Sequence, residues 1–178
     1  MKKRYFKPDK FIKTIFVKQI GKIVESNYHY LSFALISQGI ELLGTIIEDD
    51  LKNDFDTKGI SRKRFRLGLE LMGNPEYLRH CAEKNADATE FDLYKHLRCG
   101  FAHQLRPTGK IGLTHDEEMM IEKTKHLRTN KEGMLVLNID TLYKDFNQAC
   151  KKVIEKIQNN ELVHDKAYRI FLSVDSKE

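Results

Sequence analysis

Arg98 and His103 stand five positions apart in Leu97-Arg98-Cys99-Gly100-Phe101-Ala102-His103, inside an otherwise apolar stretch. Two such side chains suffice to cleave RNA without a metal. The 2′-hydroxyl of RNA is tethered beside its own phosphodiester, so the reaction needs a base, an acid and a group that holds the developing negative charge. Histidine titrates near neutrality and serves as base or acid, while a guanidinium forks onto two phosphate oxygens. The product is a 2′,3′-cyclic phosphate, and DNA, which lacks the hydroxyl, is inert to this pair.

Several neighbours bear on the same chemistry. Tyr94, one turn before Arg98, is either a phosphate or base contact or an ordinary core or interface tyrosine. The Cys99 thiol stands beside Arg98 and near His103, which favour a thiolate; a small residue at a helix crossing is the simpler reading. Glu41 is a polar exception in an apolar helix, and either orients Arg98 and shares its charge or reaches solvent at the helix edge. Lys95 and Arg106 bracket the pair as candidate nucleic-acid contacts.

The Arg98-(four residues)-His103 string resembles the signature of the HEPN superfamily, helical domains found in toxin, phage-defence and CRISPR-associated ribonucleases and in catalytically silent members. Family members most often carry Asn, Asp or His directly after the arginine, where this chain has Cys99. The likeness spans the first 105 or so residues and implies an all-α homodimer that cleaves RNA at a composite site. His103 would be its general base or acid, Arg98 its phosphate ligand, and no metal or cofactor would take part. It further implies a toxin or phage-defence role, with RNA as substrate and an antitoxin or other protein as a further partner. The alternative within the same fold is a non-catalytic module that dimerises or binds nucleic acid or protein.

Helix geometry bears on assembly independently. At about 100° per residue, positions five apart lie roughly 140° around a helix, so Arg98 and His103 do not share one narrow face. They converge if two copies of the helix pack across a two-fold axis. Gly100, between them, is expected to let those backbones approach closely.

Composition bounds the rest. The 178 residues, 40% of them hydrophobic, fit one domain over 1–178. The net charge of +5 permits nucleic-acid binding without demanding it. Residues 1–26 concentrate Lys2, Lys3, Arg4, Lys7, Lys10, Lys13, Lys18 and Lys22 against Asp9 and Glu25, and Lys58, Arg62, Lys63, Arg64 and Arg66 form a second cluster. Each cluster either holds a phosphate backbone or is solvated surface. Three cysteines without CxxC spacing indicate neither a disulfide framework nor a zinc knuckle, and suit a reducing cytoplasm. Lysines interrupt the N-terminal apolar segment too often for a signal peptide, and no run is expected to span a membrane.

The elements that must position the pair follow from periodicity. An amphipathic helix is expected from Pro8 to about Ser26, and a central, mostly apolar one over Tyr28–Asp49, where Gly39 and Gly44 permit close packing. Asp49–Gly59 is a polar connection. A helix over Arg62–Met72 stops at Gly73-Asn74-Pro75, and a short helix or turn runs from Glu76 to about Glu83. The motif helix is expected over Glu90–Gln104, with Thr89 as cap, Asp92 in its first turn and Pro107 beyond its end. Lys110–Thr114 and Met134–Ile139 read as a small β-hairpin flanking a charged segment, Asp116–Lys131. Asp140-Thr141 signals a last amphipathic helix to about Asn159, and the apolar tail residues Tyr168, Ile170, Phe171, Leu172 and Val174 are expected to dock or pair. The fold class is thus all-α, a bundle of about five to six helices with a small β-hairpin insertion in the C-terminal half.

His96, Cys99 and His103 share a helical face at relative positions 0, 3 and 7, and His115 precedes Asp116, Glu117 and Glu118. Neither set completes a metal site, since three ligands from one helix seldom close on one ion and an acidic turn is usually solvated. Gly-rich phosphate loops and the HExxH, GxSxG and Walker strings do not occur.

Overall fold

A computed structural model describes residues 7–49 and 57–162. Lys2, Lys3 and Arg4, most of the Asp49–Gly59 connection and the apolar tail residues Tyr168 to Val174 lie outside the described residues.

Helix α1 is continuous through an α-helical start (Pro8–Phe11), a π-helical middle (Ile12–Gln19) and an α-helical end (Ile20–Glu25). Pro8 opens it at a position where no backbone N–H is missed. Ile12, Phe16, Ile20 and Val24 are all buried at a strict spacing of four. On a 3.6-residue turn that spacing drifts by about 40° per step, and the wider π turns absorb the drift, keeping the four on the core. Tyr143 supports the π stretch by donating its hydroxyl to the Val17 carbonyl at 2.7 Å.

Helix α2 (His29–Ile47) is the central element. By length and hydropathy it would reach across a bilayer, which corrects the expectation that no segment does. Its apolar faces are covered by α1, by helix α3 (Ser61–Met72) and by the last helix, which accounts for its composition as that of a core helix. At the α2–α3 crossing the backbones touch. A Cβ on Gly44 would lie 1.7 Å from the Arg64 carbonyl oxygen, and one on Gly68 would lie 2.0 Å from that of Ile40. Helix α3 ends where expected, at Gly73 in the left-handed conformation, followed by Pro75.

After the short helix α4 (Glu76–Arg79) and a 3₁₀ turn at Asn85–Asp87 comes the motif helix α5, π-helical over Tyr94–Arg98 and α-helical over Cys99–Gln104. It starts later than Glu90 because Asp92 is its cap: the Asp92 carboxylate accepts the Lys95 N–H at 2.7 Å, while Thr89 serves only the Phe91 N–H, at 3.3 Å. Leu105 closes the helix in the left-handed region, ahead of Pro107.

Strands β1 (Ile111–Thr114) and β2 (Leu135–Asn138) pair in parallel, Ile111 opposite Leu135 and Thr114 opposite Asn138. The expected hairpin between them is therefore wrong. A parallel pair needs a crossover, and helix α6 (Asp116–Glu122), a seventh helix where five to six were expected, lies within it. The antiparallel partner of β2 is instead the segment just before it, with Leu127 donating to Val136 at 2.7 Å and Val136 to Arg128 at 3.0 Å around a turn at Asn130–Gly133. Asn138 ends β2 and caps the long helix α7 (Ile139–Gln158) by accepting the Thr141 N–H at 2.8 Å, so the start signal sits two residues before Asp140. Leu142, Phe146, Ala149, Val153 and Ile157 of α7 fall at helical spacing and are 6% exposed or less, returning this helix to the bundle as expected.

Candidate functional site around Arg98 and His103

The site is built on a buried ion pair beneath α5. Arg62, from the first turn of α3, is 6% exposed, and Asp92 is 1% exposed. The Arg62 guanidinium donates to both Asp92 oxygens at 2.8 and 3.0 Å, and further to Asn85 and to the Ala82 carbonyl. Asp92 accepts two more bonds, from the Ala82 and Lys95 N–H groups. The same guanidinium lies 4.5 Å from the centre of the Tyr94 ring. One buried charge pair thus fixes the start of α5 and the face of Tyr94 together.

Arg64 pairs with buried Glu48 at 2.9 Å, and Arg66 donates to the Cys81 carbonyl and faces Glu83 at 3.7 Å. Three arginines of the second basic cluster are therefore engaged within the fold; Lys63 is exposed yet lies 3.8 Å from Glu48, and Lys58 is exposed. Lys10, Lys13, Lys18 and Lys22 of α1 are exposed.

Four of the expected site residues meet on one side of α5. The Arg98 guanidinium forms an ion pair with Glu41 of α2 and lies 5.9 Å from the Tyr94 ring centre. The Gln38 amide donates to the Arg98 carbonyl at 3.1 Å. Glu41 therefore reaches Arg98 rather than solvent. Burial, and next the Cys99 thiol it faces, push the Tyr94 hydroxyl up to about 12, so it stays a proton donor at neutral pH. Cys99 is half-buried.

His103 points elsewhere. It is exposed, and a separation of roughly 140° on a regular helix sets it apart from the Arg98–Glu41 contact. Lys95 and Arg106 are both exposed, one near each end of α5.

Gly100 has a different use from the one expected. A Cβ there would lie 2.6 Å from the Arg106 carbonyl oxygen and 3.2 Å from Pro107, so the missing side chain makes room for the chain's own return after α5. His96 is engaged at both ring nitrogens, with the Thr108 hydroxyl at 2.8 Å and the Thr89 carbonyl at 3.0 Å, and burial lowers its pKa. A neutral imidazole with both nitrogens occupied does not join Cys99 and His103 as a ligand. His115 caps α6 and stacks on His29 with ring centres 4.7 Å apart, and among the described residues no group of three or more ligands is arranged for a metal.

Tyr30 is a residue the sequence reading passed over. Its hydroxyl donates to the Leu105 carbonyl at 2.7 Å and its ring meets Phe101 edge to face at 5.2 Å, tying the start of α2 to the end of α5. Tyr30 is 52% exposed, Leu31 49% and Leu105 77%, so an apolar rim stands exposed where the start of α2 meets the end of α5. A lone exposed tyrosine at a helix start carries no sequence signal of this. The chain matches no protein-family model, no curated protein and no solved structure.

Proposed function

We propose that this chain is a metal-independent endoribonuclease of the HEPN type, acting as a homodimer. The observation that supports it most directly is the pairing of a half-buried Arg98 with an exposed His103 on one helix whose end carries the exposed apolar rim of Tyr30, Leu31 and Leu105. Exposed apolar surface of this kind marks an interface. A two-fold axis along that rim would bring the Arg98 of one copy toward the His103 of the other. One His103 then takes the proton from the 2′-hydroxyl, whose oxygen attacks phosphorus. The partner's His103 gives a proton to the departing 5′-oxygen, and Arg98 neutralises the phosphorane. The family likeness alone supports a cytoplasmic toxin or phage-defence role with an antitoxin partner.

One observation favours a second reading, a non-catalytic dimerisation or binding module. The Arg98 charge is already met by Glu41, as in a structural arginine.

The test is cleavage of single-stranded RNA, with matching DNA as control, in excess chelator, by the wild type and its Arg98→Ala and His103→Ala variants, with solution mass measured alongside. Cyclic-phosphate ends from the wild type alone are the expected result. Silence of all three, with a mass that shifts on substitution, refutes catalysis and leaves the binding module.

A further inference from the structure

Helix α6 ends at Lys123, and the chain from there to the Asn130–Gly133 turn borders a groove of about 560 Å³. Its wall carries Lys123, Lys125, Arg128 and Lys131, with Glu122 as the single lining carboxylate. Three of these cations, Lys123, Lys125 and Lys131, are exposed and form no ion pair among the described residues, and Arg128 leans on Glu76 at 3.4 Å while staying 63% exposed. This differs from the cluster on α3, where Arg62 and Arg64 are committed to buried acids.

The loop is anchored by inward residues, which separates it from an ordinary solvated run of lysines. Lys123 and Leu127 both adopt the left-handed conformation, with φ of 54° and 57°. Between the outward cations, Leu127 is 2% exposed in the core and donates its N–H to Val136 at 2.7 Å. His126 also turns inward. Its Nδ1 accepts the Asn138 N–H at 2.9 Å, so Nε2 carries the proton and donates it to the Tyr77 hydroxyl at 2.8 Å. Tyr77 in turn donates to Asp145 at 2.9 Å. The inward residues anchor the backbone, and their neighbours are thereby presented together along the groove. An anchored backbone loses less freedom on meeting a ligand. Ile121, 81% exposed, adds an apolar wall beside them.

We propose that this groove binds the phosphodiester backbone of single-stranded RNA, away from Arg98 and His103. Lysines act on phosphates as unoriented point charges and so bind without regard to sequence. The threonine and asparagine donors of the groove, Thr129 and Asn130, suit phosphate and ribose oxygens. The choice of RNA over DNA rests on the ribonuclease reading, whereas the phosphate contact does not.

The test is fluorescence anisotropy of a labelled, fully 2′-O-methylated single strand, which cannot be cleaved at its 2′-position, and of the same-sequence DNA, titrated from low to high salt. Lys125→Gln/Lys131→Gln is compared with Lys18→Gln/Lys22→Gln on exposed α1, which removes the same charge. Each single-strand phosphate contact adds about 0.7 to the salt slope, so loss of two lowers it by about 1.4 and weakens binding about 25-fold at 0.1 M salt. The groove variant is expected to show this loss on both strands and the α1 variant to bind like the wild type. Equal effects of the two variants, or wild-type affinity in the groove variant, overturn the proposal. Cleavage is scored separately on unmodified RNA, so an inactive protein that still binds through the groove refutes the ribonuclease reading alone.

Discussion

Replacing Asp92 by Ala removes the only carboxylate, among the described residues, within hydrogen-bond reach of the Arg62 guanidinium, which is 6% exposed. Asp92 accepts four hydrogen bonds, two from Arg62 and one each from the Ala82 and Lys95 N–H groups. The variant therefore leaves a buried cation without a counter-charge and two backbone donors without an acceptor. Breaking one side of such a pair costs about 3–5 kcal/mol, a large part of the about 5–15 kcal/mol available to a whole domain. At about 2–4 °C per kcal/mol for a chain of this size, melting should fall by roughly 6–20 °C. Urea unfolding of Asp92→Ala, Arg62→Met and the double variant gives the coupling between the two sites. The double variant should recover part of the loss, because it removes the stranded charge, and the interaction energy should fall at about 0.5–3 kcal/mol. A cost below about 1 kcal/mol for Asp92→Ala, or strict additivity in the cycle, would refute the reasoning.

The remaining predictions concern pH and packing. Burial lowers the His126 pKa to about 4, against about 6.5 when unfolded, so the unfolded chain binds more protons between those values. Its contribution is complete above about pH 6.5 and is lost as pH falls toward 4, by at most about 3 kcal/mol at 1.36 kcal/mol per unit. Asp145, whose pKa burial raises, acts in the opposite direction, so urea midpoints at pH 5 and 7 are compared between wild type and His126→Asn; an equal pH response in both sinks the assignment. Gly44→Ala places a methyl group against the Arg64 carbonyl, where neither helix backbone can yield cheaply, and should cost at least about 1–3 kcal/mol. Gly133→Ala serves as the comparison, since a Cβ there meets nothing within 4 Å and only its positive φ is strained; equal losses in the two would show that backbone crowding at α2–α3 is not the cause.

The long helices were legible because burial writes itself into local spacing. The stripes of α2 and α7, the stop at Gly73-Asn74-Pro75 and the polar exception Glu41 all follow from positions within one or two turns. What stayed illegible depends on distant partners. Arg62 and Arg64 read as surface charge until Asp92, 30 positions on, and Glu48, 16 positions back, meet them. Gly100 was assigned to an intermolecular approach, when the space is filled by its own chain at Arg106 and Pro107. The strand pair misled because two short apolar runs do not state their direction. The length of the intervening segment was the available clue, since a hairpin needs only a short turn and a parallel pair needs a crossover. The groove residues from Lys123 to Lys131 looked like charged filler because nothing in their order shows that His126 and Leu127 turn inward. At the candidate site, the types and positions of Arg98, Glu41 and Tyr94 were legible and the Arg98–Glu41 contact was one of two readings, whereas the approach of Arg98 to the Tyr94 ring was not foreseen.

The π turn over Tyr94–Arg98 has a genetic meaning as well as a geometric one. It holds one residue more than an α-turn would need, so it stands where a single inserted codon would have been accommodated without shifting the flanking core. Deleting one residue there would restore the ordinary turn and keep the downstream residues in phase, whereas deleting one from the α-helical stretch that follows, Cys99–Gln104, would rotate everything after it by about 100°. His103 would then be aimed at a different quadrant while Asp92 kept its place under the helix start. The relative bearing of the two residues is thus encoded as chain length, and a frame-preserving deletion of three nucleotides in that stretch, ahead of His103, would change it while leaving both side chains in place.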